Sequence, residues 1–158
     1  VAVPDIIREV VATVRSLPLL GTAYDAPVDQ VYGPWPAIVA YPEGGTVRLA
    51  TTHTAHARPG TWGVHTISIR IHWPRKDLEF DTERILGFAD AIPAALMASF
   101  IRDRFGGTVV ALGDARSPGA SGAIRYEFGD GNYGGVDTLA FGFSFDVTTE
   151  YAVEEAIP

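Results

Sequence analysis

The stretch LAFGFSFDV, residues 139–147, decides the fold. Leu139, Phe141, Phe143, Phe145 and Val147 fall on one side of it, and Ala140, Gly142, Ser144 and Asp146 on the other. Side chains of a β-strand point to alternate faces with period 2. The stretch therefore reads as a strand with nearly all its apolar mass on one face. Burying a large apolar side chain contributes about 1.5–3 kcal/mol, so the row is expected to lie in the subunit's own core. The opposite face is small and polar. Small side chains let another layer come close, from the same subunit or a neighbouring one.

The pattern continues upstream. The Gly-rich segment 129–135 reads as a tight reversal, because Gly, Asn and Asp tolerate the backbone conformations that turns require. Before it, Ile124, Tyr126 and Phe128 alternate with Arg125 and Glu127, and Thr108–Leu112 reads as a further strand. Ile67, Ile69, Ile71 and Trp73 alternate with Thr66, Ser68, Arg70 and His72, which predicts a half-buried strand ended by Pro74. Ala37–Tyr41 reads as a short strand closed by a turn at Pro42, Gly44 and Gly45, with Val47–Ala50 returning as its partner.

Two segments carry helical spacing instead. Ile6, Ile7, Val10, Val11, Val14 and Leu17 follow it, with Pro4 and Asp5 in the first turn and Pro18 as the stop. In the second, Asp81 or Thr82 suits a cap, and Ile85, Leu86, Phe88, Ala89 and Ile92 share a face. Leu96, Met97, Phe100 and Ile101 continue that stripe to a stop at Gly106 and Gly107. Pro93 either kinks this helix or opens a second one. Leu19–Pro36 reads as an irregular loop pinned to the core, and Thr51–Trp62 as a polar loop or arm. Strands and helices are partly segregated along the chain, which predicts an α+β fold. The expectation is an antiparallel-rich sheet flanked by an N-terminal helix and a central kinked or paired helix. It forms one domain over 1–158, with extended loops around 51–62 and 113–122.

The 158 residues suit one domain, and 47% hydrophobic content supplies ample core. The chain has no cysteine, which removes disulfide frameworks, thiolate metal sites and cysteine nucleophiles. Twelve basic residues against 19 acidic ones give a net charge of −7. A DNA duplex carries one negative charge per ~1.7 Å, so tight DNA binding is not expected, although DNA sliding past such a surface is compatible with it. The sequence shows neither the pattern of a signal peptide nor an apolar run long enough to span a bilayer, so no membrane association is expected.

Candidate chemistry is sparse. His53 and His56 have an H-x-x-H spacing and His65 and His72 follow. Four histidines invite a zinc reading. The first pair sits in a Thr/Ala loop with no fixed common direction, and His65 and His72 differ by an odd number, which puts them on opposite strand faces. Ordinary loop histidines are the simpler reading. Asp130, Asn132 and Asp137 lack the EF-hand order. Gly129, Gly131 and Gly134 match G-x-G-x-x-G, but between two strands rather than between a strand and a helix. Gly119-Ala120-Ser121-Gly122 lacks nucleophile-elbow spacing. Glu79 with Asp81 and Glu154 with Glu155 read as solvated charges. No catalytic residue, cofactor or metal ligand is therefore assigned. The segments Thr51–Gly60 and Gly113–Gly122 exceed the usual connection of about 4–6 residues and are candidates for contacts between subunits.

The layout resembles the tail terminator (tail completion) proteins of long-tailed phages and of gene transfer agents. The resemblance covers most of the chain. It rests on IIREVVATVRSL (6–17), HTISIRIHWP (65–74), TERILGFADAIPAALMASF (82–100) and IRYEFGDGNYGGVDTLAFGFSFDVTTEY (124–151). It implies a hexameric ring in the virion, at the tail or neck, assembled in the host cytoplasm. Such a ring caps the tail tube, ends its polymerisation and offers a docking face to the capsid connector. The implied partners are further copies of the chain, the tail-tube protein and the head–tail connector, with DNA passing through the lumen without tight binding. The family has no catalytic residues to carry over. Another connector or tube component, and a soluble enzyme or ligand-binding module, stay open as alternatives.

Overall fold

The computed structural model describes residues 3–17, 22–24, 36–50, 60–74, 78–113, 124–133 and 135–152. The elements run α1 (Val3–Arg15), β1 (Thr22–Tyr24), β2 (Ala37–Ala50), β3 (Gly60–Pro74), α2 (Leu78–Gly107), β4 (Ala111–Leu112), β5 (Arg125–Tyr133) and β6 (Val136–Ala152). The fold is α+β. One sheet has the order β1-β2-β3-β6-β4, and β5 also pairs with β6. All pairings are antiparallel except β1 with β2. Because β3 lines one edge of β6, β5 and β4 share the other edge end to end: β5 meets residues 136–144 and β4 meets 147–148.

The alternation at residues 139–147 is realised as expected. Leu139, Phe141, Phe143, Phe145 and Val147 are all buried. In register, Ile71, Ile69 and Ile67 of β3 stand opposite Phe141, Phe143 and Phe145. Ile38 and Ala40 of β2 extend the same face. Both helices cover this face. α1 is strongly amphipathic and buries Ile6, Ile7, Val10, Val11 and Val14, while its outer side carries the exposed Arg8–Asp5 pair. It packs against β1 and β2. α2 lies beside α1, joined to it by the Thr13 hydroxyl on Ser99. It reaches β3 through Phe88 on Trp73 and β6 through Phe105 on Phe145.

Several elements differ from the sequence expectation. β2 is one strand to Ala50, and the Pro42–Gly45 segment forms a register shift rather than a turn. The long partner β3 keeps it paired, and a bulge accommodates the N–H that proline lacks. Gly60, Thr61 and Trp62 belong to β3 rather than to a loop, whereas 51–59 lie outside the described residues. Thr22–Tyr24, inside the stretch read as irregular, forms an edge strand. The strand expected over 108–112 is confined to Ala111–Leu112. The reversal expected at 129–135 is shorter, because β5 runs on to Tyr133. Of the segment 113–122, only Gly113 is among the described residues.

α2 begins at Leu78, so Asp81 and Thr82 lie inside it rather than at its cap, and it passes through Pro93 as one helix. Its backbone leaves helical values at Asp103. Arg104 (φ 54°), Phe105 (φ 52°), Gly106 (φ 67°) and Gly107 (φ 76°) are all left-handed. This reversal aims Phe105 into the core, where it is fully buried between Phe100 and Phe145. Gly106 is needed for its φ; a Cβ there would lie 2.8 Å from the Glu9 carboxylate carbon on α1, the far end of a flexible side chain that can move aside.

Candidate functional site

The sheet face away from the helices carries the small-residue stripe. Ala140, Gly142 and Ser144 of β6 are flanked in register by His72, Arg70 and Ser68 of β3 and by Gly129, Glu127 and Arg125 of β5. Two hollows meet over this stripe. One, of about 430 Å³, is bordered by Glu43, Ser68, Arg70, Arg125, Glu127, Gly142 and Ser144. The other, of about 200 Å³, shares Arg70, Glu127 and Gly142 and extends past Ala140 to Gly129 and Asp130. A Cβ on Gly142 would come 3.6 Å from Glu127 Cγ and 3.9 Å from Arg70 Cγ, so a methyl group there would sit in ordinary contact with both side chains. Its rim alternates cations and anions.

His72 lies at one end of this face. It is buried, with Nδ1 3.0 Å from the Thr138 hydroxyl oxygen. The backbone of Gly131 closes over it: a Cβ there would be 3.1 Å from Thr138 Oγ1 and 3.4 Å from His72 Cε1. Burial, with the Arg70 charge adding to it, lowers the His72 pKa from 6.5 to about 4. His65 is also buried, on the other face opposite Gly45, and burial lowers its pKa. These two are thus core histidines rather than loop histidines, and they do point to opposite faces. His53 and His56 lie outside the described residues. Among the described residues, no group of three His, Asp or Glu side chains is placed to hold a metal ion.

The His72 shift has a consequence for pH. Between pH 6.5 and about 4 the unfolded chain holds a proton on this imidazole and the folded chain does not. Folding stability must therefore fall as pH falls through that window. His65 acts in the same sense. The urea midpoint should drop from pH 7 to pH 4.5, and His72→Gln should flatten the drop. An equally steep drop in the variant would contradict this.

The sequence reading placed Leu86, Met97 and Ile101 on the apolar stripe of the second helix, and Tyr126 and Phe128 on one side of a strand. All five are exposed. Tyr126 and Phe128 do share the helix-side face, opposite Phe143 and Phe141, and both rings pack on Phe141. Leu86, Met97 and Ile101 stay exposed because the apolar residues of α2 occupy more of its circumference than the sheet can cover. An apolar arc wider than about 100° was the available signal. No helix among the described residues is long and apolar enough to cross a membrane. Asp130 and Asn132 fall in β5 and Asp137 in β6, rather than in one loop. Neither a scan of protein-family models nor a search of characterised proteins found a match to this chain.

Proposed function

We propose that this chain is a virion assembly protein that closes into a ring, caps a tail tube, ends its polymerisation and presents a docking face to the capsid connector. The observation that carries the reading is the amount of unsatisfied contact surface on a well-packed α+β domain. Leu86, Met97, Ile101, Tyr126 and Phe128 leave apolar area in solvent, and the opposite sheet face offers a groove rimmed with both charges. An α+β domain whose sheet is flanked by helices is what the family resemblance implies. The surplus of acidic residues fits a lumen through which DNA slides without sticking. Head-to-tail contacts that close on themselves produce a ring. Electron microscopy of the purified chain tests the proposal: closed rings support it and single subunits overturn it.

A further inference from the structure

We infer that the sheet face away from the helices is a contact between two copies of this chain, packed face to face about a two-fold axis that runs along β6 through Gly142 and Ser144. This contact differs from the head-to-tail contacts of a ring and does not rest on the ring proposal.

Strand register sets the pattern of the face. Arg70 of β3 and Glu127 of β5 stand on either side of Gly142, and Ser68 and Arg125 stand on either side of Ser144. Glu43, the extra residue of the β2 bulge between Pro42 and Gly44, borders the same hollow from beyond Ser68. On the β3 side of β6 a cation is thus followed by an anion, and on the β5 side an anion is followed by a cation. Arg70 and Glu127 lie two strand spacings apart, roughly 10 Å between backbones. Among the described residues, no ion pair engages Glu43, Arg70, Arg125 or Glu127. Ser68 is 3% exposed and borders the hollow, and no hydrogen bond among the described residues takes up its hydroxyl. The subunit leaves these charges and this hydroxyl for something outside itself.

The charge pattern selects the occupant. A surface of one sign, such as a nucleic acid, would be attracted at two corners of the rim and repelled at the other two. A second copy is attracted at all four. A half-turn about an axis along β6 exchanges the two sides of the face. It brings Arg70 of one copy over Glu127 of the other, and Glu127 over Arg70. The same turn carries Arg125 to the side of Glu43, and Glu43 to the side of Arg125. A patch that meets itself in this way is isologous. The stripe Ala140–Gly142–Ser144 lies on the axis, where the two sheets come nearest. Stacked sheets ordinarily sit about 10 Å apart, and small residues on the axis let them approach closely enough for the rim side chains to reach across. Charge pairs near solvent are screened by salt, so the contact should weaken as ionic strength rises.

The test uses the full chain, which has no native cysteine. Under mild oxidation, Ser144→Cys should run as a covalent dimer on a non-reducing gel, while Arg8→Cys, on the exposed side of α1, should stay single. In light scattering, Arg70→Glu and Glu127→Arg should each halve the particle mass at an unchanged circular-dichroism spectrum, because like charges then face each other across the axis. Mixed in equal amounts, the two variants should recover the parent mass, since each offers the charge the other lacks. Pairing within one subunit cannot produce that recovery. No covalent dimer from Ser144→Cys, an unchanged mass in the single variants, or no recovery in the mixture would overturn the inference. Micrographs of the parent read the ring separately: dimers without rings sink the ring proposal alone, and rings whose mass the variants leave unchanged sink this inference alone. Rings that break up into subunits in the single variants would assign these residues to the ring contact, which also overturns the inference.

Discussion

Replacing Phe143 by Ala should cost about 3–5 kcal/mol of folding stability. A domain of this kind has about 5–15 kcal/mol in total, so the variant should lose a large share of its stability. Phe143 is 1% exposed, at the centre of the longest apolar row. Its ring stacks on Phe141 with centroids 5.0 Å apart. Ile69 stands opposite it on β3 and Tyr126 on β5. Removing the ring leaves a cavity that two paired strands cannot collapse to fill, and that adds to the lost transfer free energy. Urea denaturation followed by circular dichroism measures the effect. A change near zero would mean that this face of β6 is not buried.

Phe105→Ala should cost a similar amount, about 3–5 kcal/mol, with an unusual companion result. Phe105 is fully buried but has φ 52°, and Arg104 before it has φ 54°. Left-handed backbone costs an L-residue roughly 1–2 kcal/mol. The packing of the ring on Phe100 and Phe145 holds the backbone there. Alanine loses the packing and keeps the strain. Glycine loses the packing and relieves the strain. Phe105→Gly should therefore be less destabilised than Phe105→Ala, by about 1 kcal/mol. That reverses the order seen in ordinary helix, where glycine is the worse residue by a similar amount. If glycine proves worse here too, the left-handed end of α2 is not as described.

The parts of the fold that were legible in the sequence are those where side-chain period and burial coincide. The rows Leu139–Val147 and Ile67–Trp73 and the α1 positions Ile6–Val14 declare themselves, because one face is apolar and the other is not. The lengths of β2, β3 and β6 were not legible. Thr148–Ala152, Gly60–Trp62 and Gly44–Thr46 are held in strand by pairing with distant residues, and backbone hydrogen bonds leave no pattern in side chains. Turn-forming residues misled the reading for the same reason: Pro42, Gly44 and Gly45 were absorbed into a bulge once β3 lay alongside. Of the candidate surface, the small stripe Ala140–Gly142–Ser144 was visible as a possible contact face. Its charged borders were not, because Arg70, Arg125 and Glu127 meet only through register. Leu86, Met97 and Ile101 were read on the same apolar stripe as the buried Phe88, Ile92 and Leu96, yet they are exposed. Periodicity shows that a residue is apolar on a given side, but not whether another element reaches far enough to cover it.

The proposed assembly is open to direct inspection by electron microscopy. Negative-stain electron microscopy of the purified full chain should show closed rings with an open centre and six-fold symmetry. A field of single subunits, or of open-ended filaments, would contradict the account.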